Sequence, residues 1–328
     1  MNTLATLLFW LSIIIISSYF LAEGADRLGA KVGRRFMGRT VLGIATTLPE
    51  IAIVFVAASK GILDVGIGAT FGSNVLMITL GLSLMVLIAT TNLSLNPTKE
   101  INVSFFKLDF YYLLLTAVVS VITFMNGYDI YDAIIFAGLY IGYVYQSYKE
   151  SHKERIESIN EIFLTRRQIL LYSLFIILGS LGIFIGAGPF TENLKKYSIE
   201  IGVPAVILAL IIAPIGGEMP EKLSLMLLAR KGGKSVEISI GNIFGSKILN
   251  NTLLITFFIL GALTYGHPIV PSEPISFTLV ALTSILTALS MLTFVDRKLD
   301  KKDGSILFAL YIIAIMIQIL IVELKIFH

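Results

Sequence analysis

The chain has no cysteine in its 328 residues, which excludes disulfides and thiolate metal centres together. Charge is scarce as well. Only 14% of residues are Asp, Glu, Lys or Arg, where a soluble domain carries about 25%. Histidine occurs three times and tryptophan once. No nucleophile–base pair, His cluster or phosphate loop can be read, so an enzyme is not expected. What fills the chain is apolar: 56% of residues are hydrophobic and mean hydropathy is +0.87. Apolar runs of about 20 residues, enough for a helix to cross a bilayer, recur along its length. They are continuous rather than alternating, which excludes a β-barrel. The first run, Leu4 to Leu21, lacks a basic leader and a small-residue cleavage signal, and reads as a retained span.

The runs predict ten spans, at 4–23, 39–59, 65–91, 108–125, 130–148, 168–188, 203–229, 236–263, 274–294 and 304–324. With the N-terminus outside, the inner loops hold nineteen basic residues and the outer segments four. That bias is the one cytoplasmic loops carry, and it places both termini outside a cell membrane. The only long charged stretch, 149–167, reads as a cytoplasmic linker between residues 1–148 and 168–328, with five spans in each. An odd number of spans makes the second half enter the membrane in the opposite sense. The predicted fold is therefore an all-α polytopic membrane protein of two inverted five-helix repeats.

One pattern occurs in both halves. Thr46-Thr47-Leu48-Pro49-Glu50 is followed by Ile67-Gly68-Ala69-Thr70-Phe71-Gly72-Ser73. Gly217-Glu218-Met219-Pro220-Glu221 is followed by Ile240-Gly241-Asn242-Ile243-Phe244-Gly245-Ser246. The glutamates are 171 residues apart and the serines 173. A carboxylate at membrane depth is costly and marks an ion or substrate path. Each proline removes an amide donor and disturbs the carbonyl one turn back, and freed carbonyls at that depth line a cavity or hold an ion. Glu50 and Glu221 together carry the charge that balances one Ca²⁺ or two monovalent ions. Thr47, Ser73, Ser246 and the freed carbonyls can complete an oxygen shell of the kind hard cations take. Gly68, Gly72, Gly241 and Gly245 let spans 3 and 8 approach spans 2 and 7, so that the serines reach the glutamates. The plainer reading is that the prolines are kinks and the glutamates satisfy backbone groups.

At these residues the chain resembles the cation/Ca²⁺ antiporter superfamily, most closely the prokaryotic Na⁺/Ca²⁺ exchangers. Their motif is Gly-Thr-Ser-Leu-Pro-Glu in the second helix of each repeat, with Gly-Ser and an amide or acid in the third. The resemblance implies two inverted five-helix repeats and antiport of Ca²⁺ against a monovalent cation by alternating access. It implies ligand roles for Glu50, Glu221, Ser73 and Ser246, and carbonyl contributions from Thr46 and Gly217. It also implies that spans 1 and 6 slide as a gating bundle. No cofactor is expected, the bound ions being transported Ca²⁺ and Na⁺ or H⁺. No nucleic acid and no obligate protein partner are expected beside the lipid bilayer.

Three departures from the motif stand out. Gly217-Glu218 replaces a hydroxyl pair and adds a carboxylate. Met77 stands four positions after Ser73, where its counterpart after Ser246 is the polar Asn250. Lys247 follows Ser246, where the first half has Asn74. Glu218 and Glu221 share a helix face, and with Glu50 would put three negative charges in one cavity. Such a cluster binds protons or recruits a fixed cation. Lys222 and Lys247 are the candidates to balance it, their ammonium standing where a transported Na⁺ would otherwise sit. The alternative readings are an H⁺/divalent-cation exchanger with Glu218 as proton site, and a cation channel lined by the same glutamates. Asp109 and Asp132, near span ends, are expected to be solvated, Asn251 to pack, and His152, His267 and His328 to lie at the surface.

Overall fold

A computed structural model describes residues 2–29, 43–153, 165–266 and 274–323. The expected basic loop over 31–39, most of the linker, His267 and His328 lie outside these residues, as does the His152 side chain. The described chain is helical almost throughout. Its elements are α1 (Thr3–Gly29), α2 (Gly43–Ser59), α3 (Leu63–Leu76), α4 (Leu82–Thr90), α5 (Lys107–Met125), α6 (Ile130–Lys153), α7 (Arg166–Ile201) and α8 (Ala205–Lys231). They continue with α9 (Lys234–Leu249), α10 (Ile255–Tyr265), α11 (Pro274–Leu292) and α12 (Lys301–Glu323). Two short strands, β1 (Glu100–Asn102) and β2 (Lys298–Asp300), pair antiparallel with Ile101 opposite Leu299. Among the described residues six helices are long and apolar enough to cross a membrane, and three apolar stretches are shorter.

The helix ends follow local chemistry. Thr165 and Gln168 form a reciprocal capping box at the start of α7, which satisfies two orphan amides. The sequence places the end of this span at 188, before Pro189. The helix instead runs 36 residues with Pro189 inside it, and stops where Gly202 turns left-handed at φ 69°. A proline costs the helix one donor, whereas a left-handed glycine ends it. α8 likewise ends at Gly232, φ 76°, with Arg230 and Lys231 in its last turn, where cations suit the helix dipole.

α3 and α4 form one rod joined by a π-helical turn at Met77–Gly81, and α9 and α10 form another joined at Asn250–Leu254. Both turns begin four residues after the motif serine. π turns of this kind gather at functional sites.

The core is built by α2, α3, α8, α9 and α10. α3 lies directly on α8: a Cβ at Gly72 would fall 2.5 Å from the Leu210 carbonyl oxygen and 2.6 Å from its Cα. Gly68 meets Val206 and Ala209 in the same way. These glycines were expected to bring span 3 against span 2, but the closest approach is to the motif helix of the other half. α10 meets α2 similarly, with Gly261 against the Phe55 carbonyl at 2.5 Å. α1 and α7 form a glycine-packed pair at one side, Gly179 abutting Ser17 O and Leu21 N. The outer face of α7 exposes Leu170, Leu174, Ile177, Leu178, Leu181 and Ile185, a surface suited to lipid.

Charged side chains gather at the two ends. Lys60 pairs with Glu192 at 2.6 Å and Lys195 with Asp64 at 2.7 Å. At the other end Lys298 pairs with Glu100 at 2.5 Å, and Asn96 Nδ2 donates to Lys231 O. One expectation fails here. Asp109 is not solvated but 1% exposed, accepting a 2.7 Å hydrogen bond from the Tyr143 hydroxyl. It sits in the first turn of α5, on the side that α6 covers. Gly72→Val is expected to destabilise the protein by about 3 kcal/mol, since the clash is with backbone and cannot relax by rotamer change. Thermal unfolding of the detergent-purified variant checks this.

Candidate cation site

The two motif glutamates lie on α2 and α8, which pack against each other. Glu50, on α2, is 3% exposed, and neither of its carboxylate oxygens has a hydrogen-bond partner. Its carboxyl group lies against Gly217 of α8: a Cβ there would meet Oε1 and Cδ, and would sit 2.9 Å from Cγ. The replacement of a hydroxyl residue by glycine at 217 therefore makes the space that Glu50 occupies. Glu221 is 6% exposed and accepts a 3.2 Å hydrogen bond from Ser246 Oγ. Ser246 also reaches Asn242 Oδ1 at 3.3 Å. The expected serine–glutamate contact is thus present in the second half. In the first half Ser73 lies beside Glu218 rather than Glu50, its hydroxyl close enough to act on that carboxylate.

The extra acid, Glu218, is 2% exposed and takes a 3.2 Å hydrogen bond from Asn250 Nδ2 on Oε1. Its other oxygen faces Lys222 at 4.0 Å, one helical turn on. Of the two candidate lysines, Lys222 is the one at ion-pair distance from Glu218. Lys247 is fully buried and binds amide oxygens instead, Asn74 Oδ1 at 3.0 Å and Asn251 Oδ1 at 3.4 Å. Asn74 and Lys247 are the residues that follow the two serines, so equivalent positions of the two halves touch each other. Asn251 also donates to Thr116 Oγ1 at 3.1 Å and is a packing amide, as expected. Thr46 Oγ1 donates to Gly43 O at 3.1 Å, and Thr47 is buried. Met77 is buried and opens the first π turn, in the place Asn250 takes in the second.

Orphaned polar atoms concentrate here. Among the described residues, eleven buried side-chain atoms lack a well-formed hydrogen bond, and six of them belong to Glu50, Ser73, Glu218, Lys222 and Asn250. Buried polar groups are nearly always satisfied, so this concentration marks a place for a polar guest. Glu218, Glu221 and Lys222 are the charged groups near Glu50. Among the described residues, however, no three His, Cys, Asp or Glu side chains converge as a metal cage. The carboxylates are neighbours rather than the single acidic cluster suggested by the 218/221 spacing.

A sequence model described as sodium/calcium exchanger protein matches residues 2–149 and 171–320. The chain belongs to the sodium/calcium exchanger family. A membrane protein of Methanocaldococcus jannaschii is 26% identical over 315 residues, covering 94% of this chain and 95% of its own length. The backbone resembles the crystal structure of an H⁺/Ca²⁺ exchanger, CAX, with a TM-score of 0.84. The two are 21% identical, and the match covers 99% of this chain and 85% of that one. It also resembles the sodium–calcium exchanger NCX_Mj soaked with Na⁺ and Sr²⁺, with a TM-score of 0.63 and 22% identity, covering 96% and 98% of the two chains. At these identities the structural likenesses establish a shared fold.

Two outcomes test the site. Gly217→Ala is expected to leave the unfolding temperature nearly unchanged while weakening divalent-cation binding about tenfold, about 1.4 kcal/mol, because only the mobile Glu50 side chain must move. Lys247→Met is expected to do the reverse. It strands two buried amide oxygens at about 1–3 kcal/mol each, and thermal unfolding reads the loss.

Proposed function

We propose that this family member is a secondary-active antiporter that exchanges Ca²⁺ for Na⁺ by alternating access. The observation that carries the reading is Glu50. A carboxylate with two unpartnered oxygens, buried where charge is expensive, is stabilised when a cation binds. Glu221, one helix away and steadied by Ser246, supplies the second negative charge. Ser73, Asn250, Thr47 and the carbonyls of Thr46 and Gly217 complete the oxygen set for a hard divalent ion.

The architecture that goes with this reading is ten membrane-spanning helices in two inverted repeats, residues 1–148 and 168–328, joined by a cytoplasmic linker over 149–167. Supporting it, the helix contacts come in matched pairs: α3 on α8 answers α2 on α9 and α10, and α4 on α12 answers α6 on α10. The paired π turns add to this. The site then lies between the repeats, as in other repeat-built transporters. α1 and α7, packed on each other through glycines, form the unit that slides to open one face at a time. The orientation places both termini outside a cell membrane, with Lys60 external and Arg230, Lys231 and Lys298 internal.

A proton-coupled cycle is the second reading, favoured by the free oxygen of Glu218. The two separate in proteoliposomes. ⁴⁵Ca²⁺ uptake is expected when the lumen holds Na⁺, and not when it holds K⁺ or acidic buffer alone, and Glu50→Gln is expected to abolish it. Uptake driven by luminal acid would move the coupling to protons, and uptake indifferent to every gradient would mean a channel. Because the chain has no native cysteine, single cysteines test the orientation. Cysteine in place of the exposed Glu200 should react with an impermeant maleimide from outside the cell, and cysteine in place of the exposed Lys231 only after permeabilisation.

A further inference from the structure

We propose that Lys222 is a built-in counter-cation: its ammonium, paired with Glu218, fills the monovalent-cation position that Glu218 and Asn250 would otherwise offer, and removes one transported ion from each cycle. The proposal rests on the antiport reading above.

The argument begins with what each atom does. Asn250 Nδ2 engages Glu218 Oε1 at 3.2 Å, which leaves Asn250 Oδ1 without a partner and Glu218 Oε2 without a well-formed hydrogen bond, the Ser73 hydroxyl being the other polar group beside this carboxylate. Lys222 Nζ stands 4.0 Å from Glu218 Oε2 and makes no hydrogen bond. Two free oxygens beside a free ammonium have the composition of a cation subsite whose cation is tethered to the protein. The contact is too long for a hydrogen bond, so the pair compensates charge without locking the helix turn. The lysine stem passes the π turn of the first half: a Cβ at Gly81 would lie 3.9 Å from Cε and 4.0 Å from Cδ. The ammonium therefore sits between the halves, among the groups that act on Glu50.

Charge balance gives the pairing its consequence. Glu50, Glu218 and Glu221 with Lys222 leave two negative charges, the number one Ca²⁺ neutralises. Without Lys222 a third negative charge is exposed beside two free oxygens, and a monovalent ion has to answer it. Lys247 acts on Glu218 only from a distance and does not fill the subsite, because its ammonium is held by the amides of Asn74 and Asn251. The first half has no second copy of the subsite, since Thr47 and Met77 occupy the positions of Glu218 and Asn250.

The test compares wild type, Lys222→Gln and the double variant Glu218→Gln/Lys222→Gln. Na⁺:Ca²⁺ coupling is read from flux-reversal measurements in proteoliposomes, and Na⁺ occupancy from ²²Na⁺ equilibrium binding in detergent. Lys222→Gln is expected to gain one Na⁺ per Ca²⁺ in coupling and one bound Na⁺ per chain. The double variant is expected to return to the wild-type ratio. An unchanged ratio and occupancy in Lys222→Gln would overturn the proposal, as would a gain that persists in the double variant. If Lys222→Gln is too unstable to reconstitute, which an unpaired buried carboxylate can cause, its folded fraction in detergent still decides through ²²Na⁺ binding. Failure of the wild type to exchange Ca²⁺ at all would instead refute the antiport reading, and the binding comparison would still decide the role of Lys222.

Discussion

Glu50 is the constraint around which the rest is arranged. A carboxylate cannot be buried in an apolar helix bundle without a partner unless something else stabilises it. Here the local structure is shaped to keep it there. Gly217 has no side chain, so the carboxyl group fits against α8. Gly68 and Gly72 bring α3 onto the same helix, placing Ser73 toward Glu218. Ser246 steadies Glu221. In the proposed antiport reading, cation binding would relieve the cost of holding this unsatisfied charge.

The second half adds its own electrostatics. Glu218 would raise the local charge beyond what one divalent ion balances, and Lys222 offsets it from one turn away. Lys247 lies deeper and is held by amides, joining α9 to α3 at equivalent positions of the two halves. Two intramembrane lysines, adjacent in role on paper, thus serve different ends. One sits among the carboxylates, and the other ties the halves together.

Much of this was legible in the sequence. Proline followed by glutamate in both halves, with Gly-Ser at matching distances, named the helices and the acids that meet. Loop charge and apolar runs located the helices. What could not be read was whatever depends on which neighbour a side chain faces. Both lysines were candidates for Glu218, since one is four residues away and the other lies on an adjoining helix, and distance along the chain does not choose between them. Asp109 looked solvated because it begins a helix, yet α6 covers that side. The π turns carry no composition signal. The span expected to end at 188 runs on, because the helix carries Pro189 inside it and stops only at the left-handed Gly202. Gly217 was expected to contribute its carbonyl, and its missing side chain is what leaves room for the Glu50 carboxyl group.

The central claim is that Glu50 and Glu221, from the two halves, share one cation. Long-wavelength anomalous diffraction from crystals soaked in Ca²⁺ tests it most directly. The account predicts one peak within about 2.3–2.6 Å of a carboxylate oxygen of each glutamate. A peak bound by only one of them, or seated elsewhere in the protein, would contradict it.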